Sequence, residues 1–158
     1  MDGISASRGD DTIAWYENDG GPSPAFTRHV VSTIADALWV LFVYAADVDG
    51  DGDLDVLSAS DNDDRIAWYE NNGGSPPSFT GRVTSPDADR ATSIYAADVD
   101  RDGDLDVLSS SWADDKIAWY ENNGGASPTF TAHVIATSAD GAESVYAADV
   151  DGDGDLDV

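Results

Sequence analysis

Cysteine is absent from the 158 residues, which excludes disulfides, thiol catalysis and zinc–thiolate sites. Positive charge is scarce: seven Lys and Arg stand against 32 Asp and Glu, a formal charge of −25. Phosphates would be repelled, so nucleic acid and anionic membrane surfaces are excluded as electrostatic partners. Only two histidines occur, His29 and His133, and the matching position midway between them is Arg82. A catalytic base would not be exchanged for arginine between copies of one pattern. No nucleophile–base pair stands out either, so the chain is not expected to be an enzyme. Long apolar runs are missing as well. The longest, Ala37 to Ala46, has ten residues, against the about 20 of a membrane helix, so no membrane insertion is expected. Met1-Asp2-Gly3-Ile4-Ser5 shows neither the basic nor the apolar region of a signal peptide.

Such acidity often accompanies disorder. Here 41% of the residues are hydrophobic, with 5 Trp, 6 Tyr and 4 Phe, and much of the acid is gathered into three short runs. Both features argue for a packed core.

The sequence repeats itself. Ile13-Ala14-Trp15-Tyr16-Glu17-Asn18 returns at Ile66 and again at Ile117, and Tyr44-Ala45-Ala46-Asp47-Val48-Asp49 returns at Tyr95 and at Tyr146. Periods of this length point to solenoids, propellers or arrays. Each unit reads as four short strands rich in β-branched and aromatic residues, separated by Gly, Pro, Asn and Asp. In the third unit these are Leu105–Ser110, Lys116–Glu121 and Thr129–Ile135, preceded by Ser93–Asp98. No segment carries a 3.6-residue period, so little helix is expected.

Four strands per unit predict an all-β chain, a β-propeller of four-stranded blades with three blades per chain. It forms a single repeat domain, 1–158, with units 1–53, 54–104 and 105–155. Met1 aligns with Leu54, so the first unit begins at a second strand, and the last first-strand, 144–151, would complete it in a circular permutation. Three blades do not close a ring, since propellers have about 4 to 8. Either two copies pair head to tail, six blades as a homodimer, or the chain is a piece of a longer array; the homodimer is the favoured expectation. Ala37-Leu38-Trp39-Val40-Leu41-Phe42-Val43 is apolar where the matching stretches are polar, and reads either as an interface patch or extended strand in the assembly, the favoured reading, or as an accident tolerated at a loop.

The acidic runs carry the chemistry. They are Asp47-Val48-Asp49-Gly50-Asp51-Gly52-Asp53-Leu54-Asp55, Asp98-Val99-Asp100-Arg101-Asp102-Gly103-Asp104-Leu105-Asp106 and Asp149-Val150-Asp151-Gly152-Asp153-Gly154-Asp155-Leu156-Asp157. Like charge at this density repels itself unless a cation sits within it. Oxygen donors without imidazole or thiolate select a hard ion, Ca²⁺ before Mg²⁺. Positions 1, 3, 5 and 9 would supply carboxylates (Asp47, Asp49, Asp51, Asp55 and their equivalents). Position 7 (Asp53, Asp104, Asp155) would supply its backbone carbonyl, and the glycine at position 6 permits the bend. About three Ca²⁺ per chain are expected. An EF-hand would need an acid at position 12 and flanking helices; Ser58 and Ser109 stand there, and the flanks read as strands.

With these residues in view, Tyr-Ala-Ala-Asp-Val-Asp-x-Asp-Gly-Asp-Leu-Asp-Val resembles the FG-GAP/VCBS repeat family over the whole chain. The resemblance implies a calcium-binding β-propeller akin to integrin α-subunit heads and a non-enzymatic scaffold for extracellular or cell-surface adhesion or recognition, with a protein or glycan as the surface ligand. Two other readings are weighed. One is a carbohydrate-binding lectin using Trp15, Trp68 and Trp119 with Tyr16, Tyr69 and Tyr120, residues that otherwise pack between blades. The other is a designed repeat protein with calcium as its only ligand, which the near-identity of the units favours. Arg8-Gly9-Asp10 spells an integrin-binding tripeptide, yet it aligns with the turn Asp61-Asn62-Asp63 and is read as chance.

Overall fold

A computed structural model describes residues 1–33 and 39–158. They form three antiparallel sheets and no helix. The first sheet holds β1 (Gly3–Ser7), β2 (Thr12–Asn18) and β3 (Phe26–Ser32). The second holds β4 (Val40–Ala46), β5 (Asp55–Ser60), β6 (Arg65–Gly74) and β7 (Pro77–Ser85). The third holds β8 (Ala91–Ala97), β9 (Asp106–Ser111), β10 (Lys116–Asn122) and β11 (Phe130–Ala136). Strands follow one another in sheet order, so each sheet is a meander. This is the architecture expected of propeller blades.

The two-residue period of a strand explains how the sheets stack. Along β6, Ile66 and Trp68 face one way, into a core shared with Ala91, Ile94, Val107 and Tyr120 of the third sheet. Ala67 and Tyr69 face the other way, into a core shared with Ile13 and Ile4 of the first sheet. The middle sheet is thus apolar on both faces, and every residue of β5 is buried. Along β9, Val107 joins the inner core and Leu108 a third cluster with Val145 and Ala147. The recurring Trp and Tyr fill the space between sheets: Trp68 and Tyr120 are almost wholly buried.

The first strands β4 and β8 are the edges where the sheets converge. Their tyrosines meet there, with Tyr44 and Tyr95 rings 5.2 Å apart and Tyr95 and Tyr146 rings 4.4 Å apart. Small residues, Ala45-Ala46 and Ala96-Ala97, follow those tyrosines.

Two places break the regularity of the repeat. The first sheet has three strands, and among the described residues none pairs the outer edge of β1. Of the expected last strand, 144–151, the described residues pair through one bridge, Ala148 with Asp157. Of the apolar stretch Ala37–Val43, Ala37 and Leu38 lie outside the described residues. The remainder opens β4, with Val40 buried and Trp39, Leu41 and Phe42 exposed.

Candidate metal centres

Each acidic run lies between a first-strand end and a second-strand start: β4 and β5, β8 and β9, and for the third the bridged residues Ala148 and Asp157. Short Asx turns wind it. Asp49 Oδ1 accepts the N–H of Asp51, and Asp51 Oδ1 accepts that of Asp53. The same pair recurs at Asp100 with Asp102 and Asp102 with Asp104, and at Asp151 with Asp153 and Asp153 with Asp155. The glycine at position 6 lies in the left-handed region, φ +95° at Gly52, +99° at Gly103 and +94° at Gly154, where a side chain would be strained.

This winding brings three carboxylates together in each run. Asp47, Asp49 and Asp55 offer oxygens within 4.8 Å of one another, as do Asp98, Asp100 and Asp106, and Asp149, Asp151 and Asp157. Positions 1, 3 and 9 therefore converge. Positions 5 (Asp51, Asp102, Asp153) and 7 (Asp53, Asp104, Asp155) lie outside the triads, and their Oδ1 or backbone N–H groups are engaged in the Asx turns.

The ninth aspartate anchors the loop. Asp55 is fully buried, accepting the Val48 N–H at 3.0 Å on Oδ2 and the Asn71 N–H at 2.7 Å on Oδ1. Asp106 does the same with Val99 at 2.9 Å and Asn122 at 2.8 Å. Burial pushes both carboxyls above the ordinary carboxylate range, opposed by those backbone N–H bonds. Burial likewise raises Asp49. The first aspartate supplies a second observation. Asp47 Oδ2 accepts the Gly52 N–H at 3.0 Å and Asp98 Oδ2 the Gly103 N–H at 3.2 Å. Their Oδ1 atoms are buried without a hydrogen-bond partner. A desolvated carboxylate oxygen left unpaired is costly, and a cation within the triad would relieve it. Three like charges this close repel by on the order of 3 kcal/mol per pair at an effective dielectric of 20. The donor set is all oxygen, and it fits a hard divalent ion.

The sequence reading missed the asparagine that closes each second strand–third strand pair. Asn122 donates its side-chain N–H to Val48 O at 2.9 Å and to Leu105 O at 3.0 Å. It thereby ties the first acidic loop to the second. The recurrence of Asn at the end of Ile-Ala-Trp-Tyr-Glu-Asn was the available signal.

The other residues weighed from sequence fall into place as packing. His29 stacks on Trp15 with ring centroids 4.3 Å apart and meets Glu17 at 3.0 Å; His133 stacks on Trp119 at 4.5 Å and meets Glu121 at 2.7 Å. Arg82 lies over Trp68 and bonds Glu70 at the same register. Histidine and arginine thus do one job, a cation or ring covering a tryptophan.

Residues 1–58, 47–109 and 110–158 each match the FG-GAP-like repeat, so the match extends along the whole chain. No curated protein matches the sequence.

Proposed function

The chain belongs to the FG-GAP-like repeat family, and from that premise we propose that it is a non-enzymatic β-propeller scaffold stabilised by calcium, serving adhesion or recognition outside the cell. The observation that carries the reading is the threefold Asp triad with its buried, unpartnered Asp47 and Asp98 oxygens. Calcium bound there would cancel the repulsion among positions 1, 3 and 9 and so tie first strand to second. Position 9 needs no reorganisation, because two backbone N–H groups already orient it in the first two loops.

Sites of this kind in extracellular modules bind at about 10⁻⁴ to 10⁻³ M. Extracellular calcium fills them, whereas resting cytosolic calcium does not, which favours a surface or secreted setting. The open edge of β1 suits an innermost strand such as Val145–Ala148 of a second copy, giving six blades from two chains. The exposed Trp39, Leu41 and Phe42 are the apolar surface for that pairing. The repeated tryptophans do not favour a lectin, since Trp68 is buried and Trp15 and Trp119 are covered by histidine.

Calorimetric titration of the chelator-stripped protein tests the metal reading, with about three Ca²⁺ per chain expected. Light scattering tests the assembly. A dimer in calcium that Trp39→Ser with Phe42→Ser converts to monomer supports it; a monomer in saturating calcium removes it.

A further inference from the structure

A cavity of about 540 Å³ lies between the first and second sheets. Asp2, Ile4 and Trp15 line one side, and Leu54, Asn71 and Phe79 the other. One unit further on, Trp68, Leu105, Asn122 and Phe130 hold the positions of Trp15, Leu54, Asn71 and Phe79. There, between the second and third sheets, the space is filled. The filler is Val48 of the first acidic loop, which is 2% exposed and shares one core with Trp68, Leu105 and Phe130.

Two hydrogen bonds hold Val48. Its N–H donates to Asp55 Oδ2 at 3.0 Å, and its carbonyl accepts from Asn122 Nδ2 at 2.9 Å. The open cavity carries the counterparts of both partners. Asp2 repeats Asp55: its Oδ1 accepts the Asn18 N–H at 2.9 Å, as Asp55 Oδ1 accepts that of Asn71. Its Oδ2 stands ready for a valine N–H. Asn71 repeats Asn122: one amide N–H goes to Leu54 O at 3.1 Å, as one of Asn122 goes to Leu105 O. The other stands ready for a valine carbonyl.

The third acidic loop holds the matching valine. Val150 stands two units after Val48 and is 79% exposed, and Tyr146 before it is 63% exposed. Within the chain its N–H donates to Asp157 Oδ2, and Ala148 bridges Asp157. Ala46 and Ala97 pair with Asp55 and Asp106 in the same way. A third-strand asparagine also orients Asp55, Asp106 and Asp2; among the described residues none orients Asp157. Val145 and Ala147 pack on the third sheet, whereas the cavity lies beyond the second. Val150 therefore reaches such a cavity in another molecule.

We propose that this cavity is the docking site for Val150 of a second copy, with Asp2 accepting its N–H and Asn71 donating to its carbonyl. The inference rests on the head-to-tail pairing proposed above and names its joint. Tyr146-Ala147-Ala148 run beside β1 in the register that Tyr44-Ala45-Ala46 keep on β5, which sets Ala147 opposite Gly3. Asp2 displaces Asp157 because the Asn18 N–H already orients its carboxylate, and a preorganised acceptor costs less to engage. It thereby takes the ninth place of the third loop, beside Asp149 and Asp151.

The test uses the whole chain in saturating calcium. Val150→Asp changes an exposed side chain and leaves the fold of the single chain intact. It should weaken dimerisation at least about a hundredfold by analytical ultracentrifugation, since a buried valine is lost and a carboxylate is set against Asp2. The chain has no cysteine, and a Cβ at Gly3 meets open space. Residues facing each other across antiparallel strands lie about 4.5 to 5.5 Å apart, within disulfide reach. Gly3→Cys with Ala147→Cys should therefore give a chain-to-chain disulfide, seen as a dimer band on a non-reducing gel. The joint is overturned if a dimer persists in Val150→Asp, or if the cysteine pair stays reduced within a dimer; self-association through the Trp39 and Phe42 face then survives. A wild-type chain that is monomeric in calcium overturns both the joint and the head-to-tail pairing.

Discussion

The two ends of the same strands obey different rules. At the loop end the three units keep Asp at positions 1, 3, 5, 7 and 9, and each ninth carboxylate accepts the same backbone N–H, from Val48, Val99 and Val150. At the far end, where the turn after each second strand meets the residue opening the next first strand, the units keep one backbone, with Trp39, Arg90 and Gly141 all left-handed. They exchange an arginine–tryptophan contact (Arg8 over Trp39), an ion pair (Asp61 with Arg90) and a tryptophan–glycine contact (Trp112 with Gly141). The proposed ion would have one geometric solution, which each loop would have to repeat. A junction between neighbouring sheets asks only that the space be filled and the charges be paired, and several chemistries meet that demand.

The widest gap between the ends should show in the buried anchor. Asp106→Ala, measured in chelator, strands the Val99 and Asn122 N–H groups and should cost about 3 kcal/mol by denaturant unfolding. The matching Asp157→Ala should cost far less, because Asp157 is exposed and engages Val150 and a single bridge. Equal losses would break the claim that burial makes the ninth position an anchor. Next in size is calcium itself. Three sites filled at about 1 mM should add roughly 2 kcal/mol, and chelation should lower the melting temperature by on the order of 5 °C. A melting curve indifferent to chelator would remove the metal from the loops.

The far end should tolerate exchange. Asp61→Trp with Arg90→Gly writes the third unit's junction into the second, and unfolding should change by no more than about 1 kcal/mol. The gain from glycine at a left-handed position offsets the lost, partly exposed pair. A loss of several kcal/mol would show that these junctions are not interchangeable.

The smallest effect is expected at Arg101, the one exception within the loops. It sits at φ +66° where Gly50 and Gly152 stand in the other two, and it pairs with Asp155 of the third loop at 2.5 Å. Both partners are more than half exposed, so the pair contributes little. Arg101→Gly should change stability by under about 1 kcal/mol while loosening the third loop, visible as faster amide exchange at 149–157. Unchanged exchange there would show that Arg101 holds nothing.

Much of this was legible in the sequence. The repeated Ile-Ala-Trp-Tyr run already read as a strand whose Trp and Tyr pack between blades, and Asp-Gly-Asp and Asn-Gly spacings implied the turns. These features are local, governed by pleat, φ preference and neighbouring side chains. The loop's aspartates were legible as a group, with position 7 set apart from 1, 3, 5 and 9, yet the grouping of 1, 3 and 9 alone was not. All of them are acidic and close in sequence, and only the winding of the Asx turns separates positions 1, 3 and 9 from 5 and 7. Asn122 was visible as a repeated letter, but its bond to Val48 O spans 74 residues.

The sequence by itself thus determined the blades, the turns and the oxygen-rich loops, because each arises from interactions within a few residues or one hairpin. The tertiary structure alone decided which carboxylate oxygens are buried and unpaired, and that Ile4, Trp15, Asn71 and Phe79 share one cavity. Those residues belong to different units, and only the stacking of sheet on sheet, driven by the apolar faces between them, brings them within reach of one another.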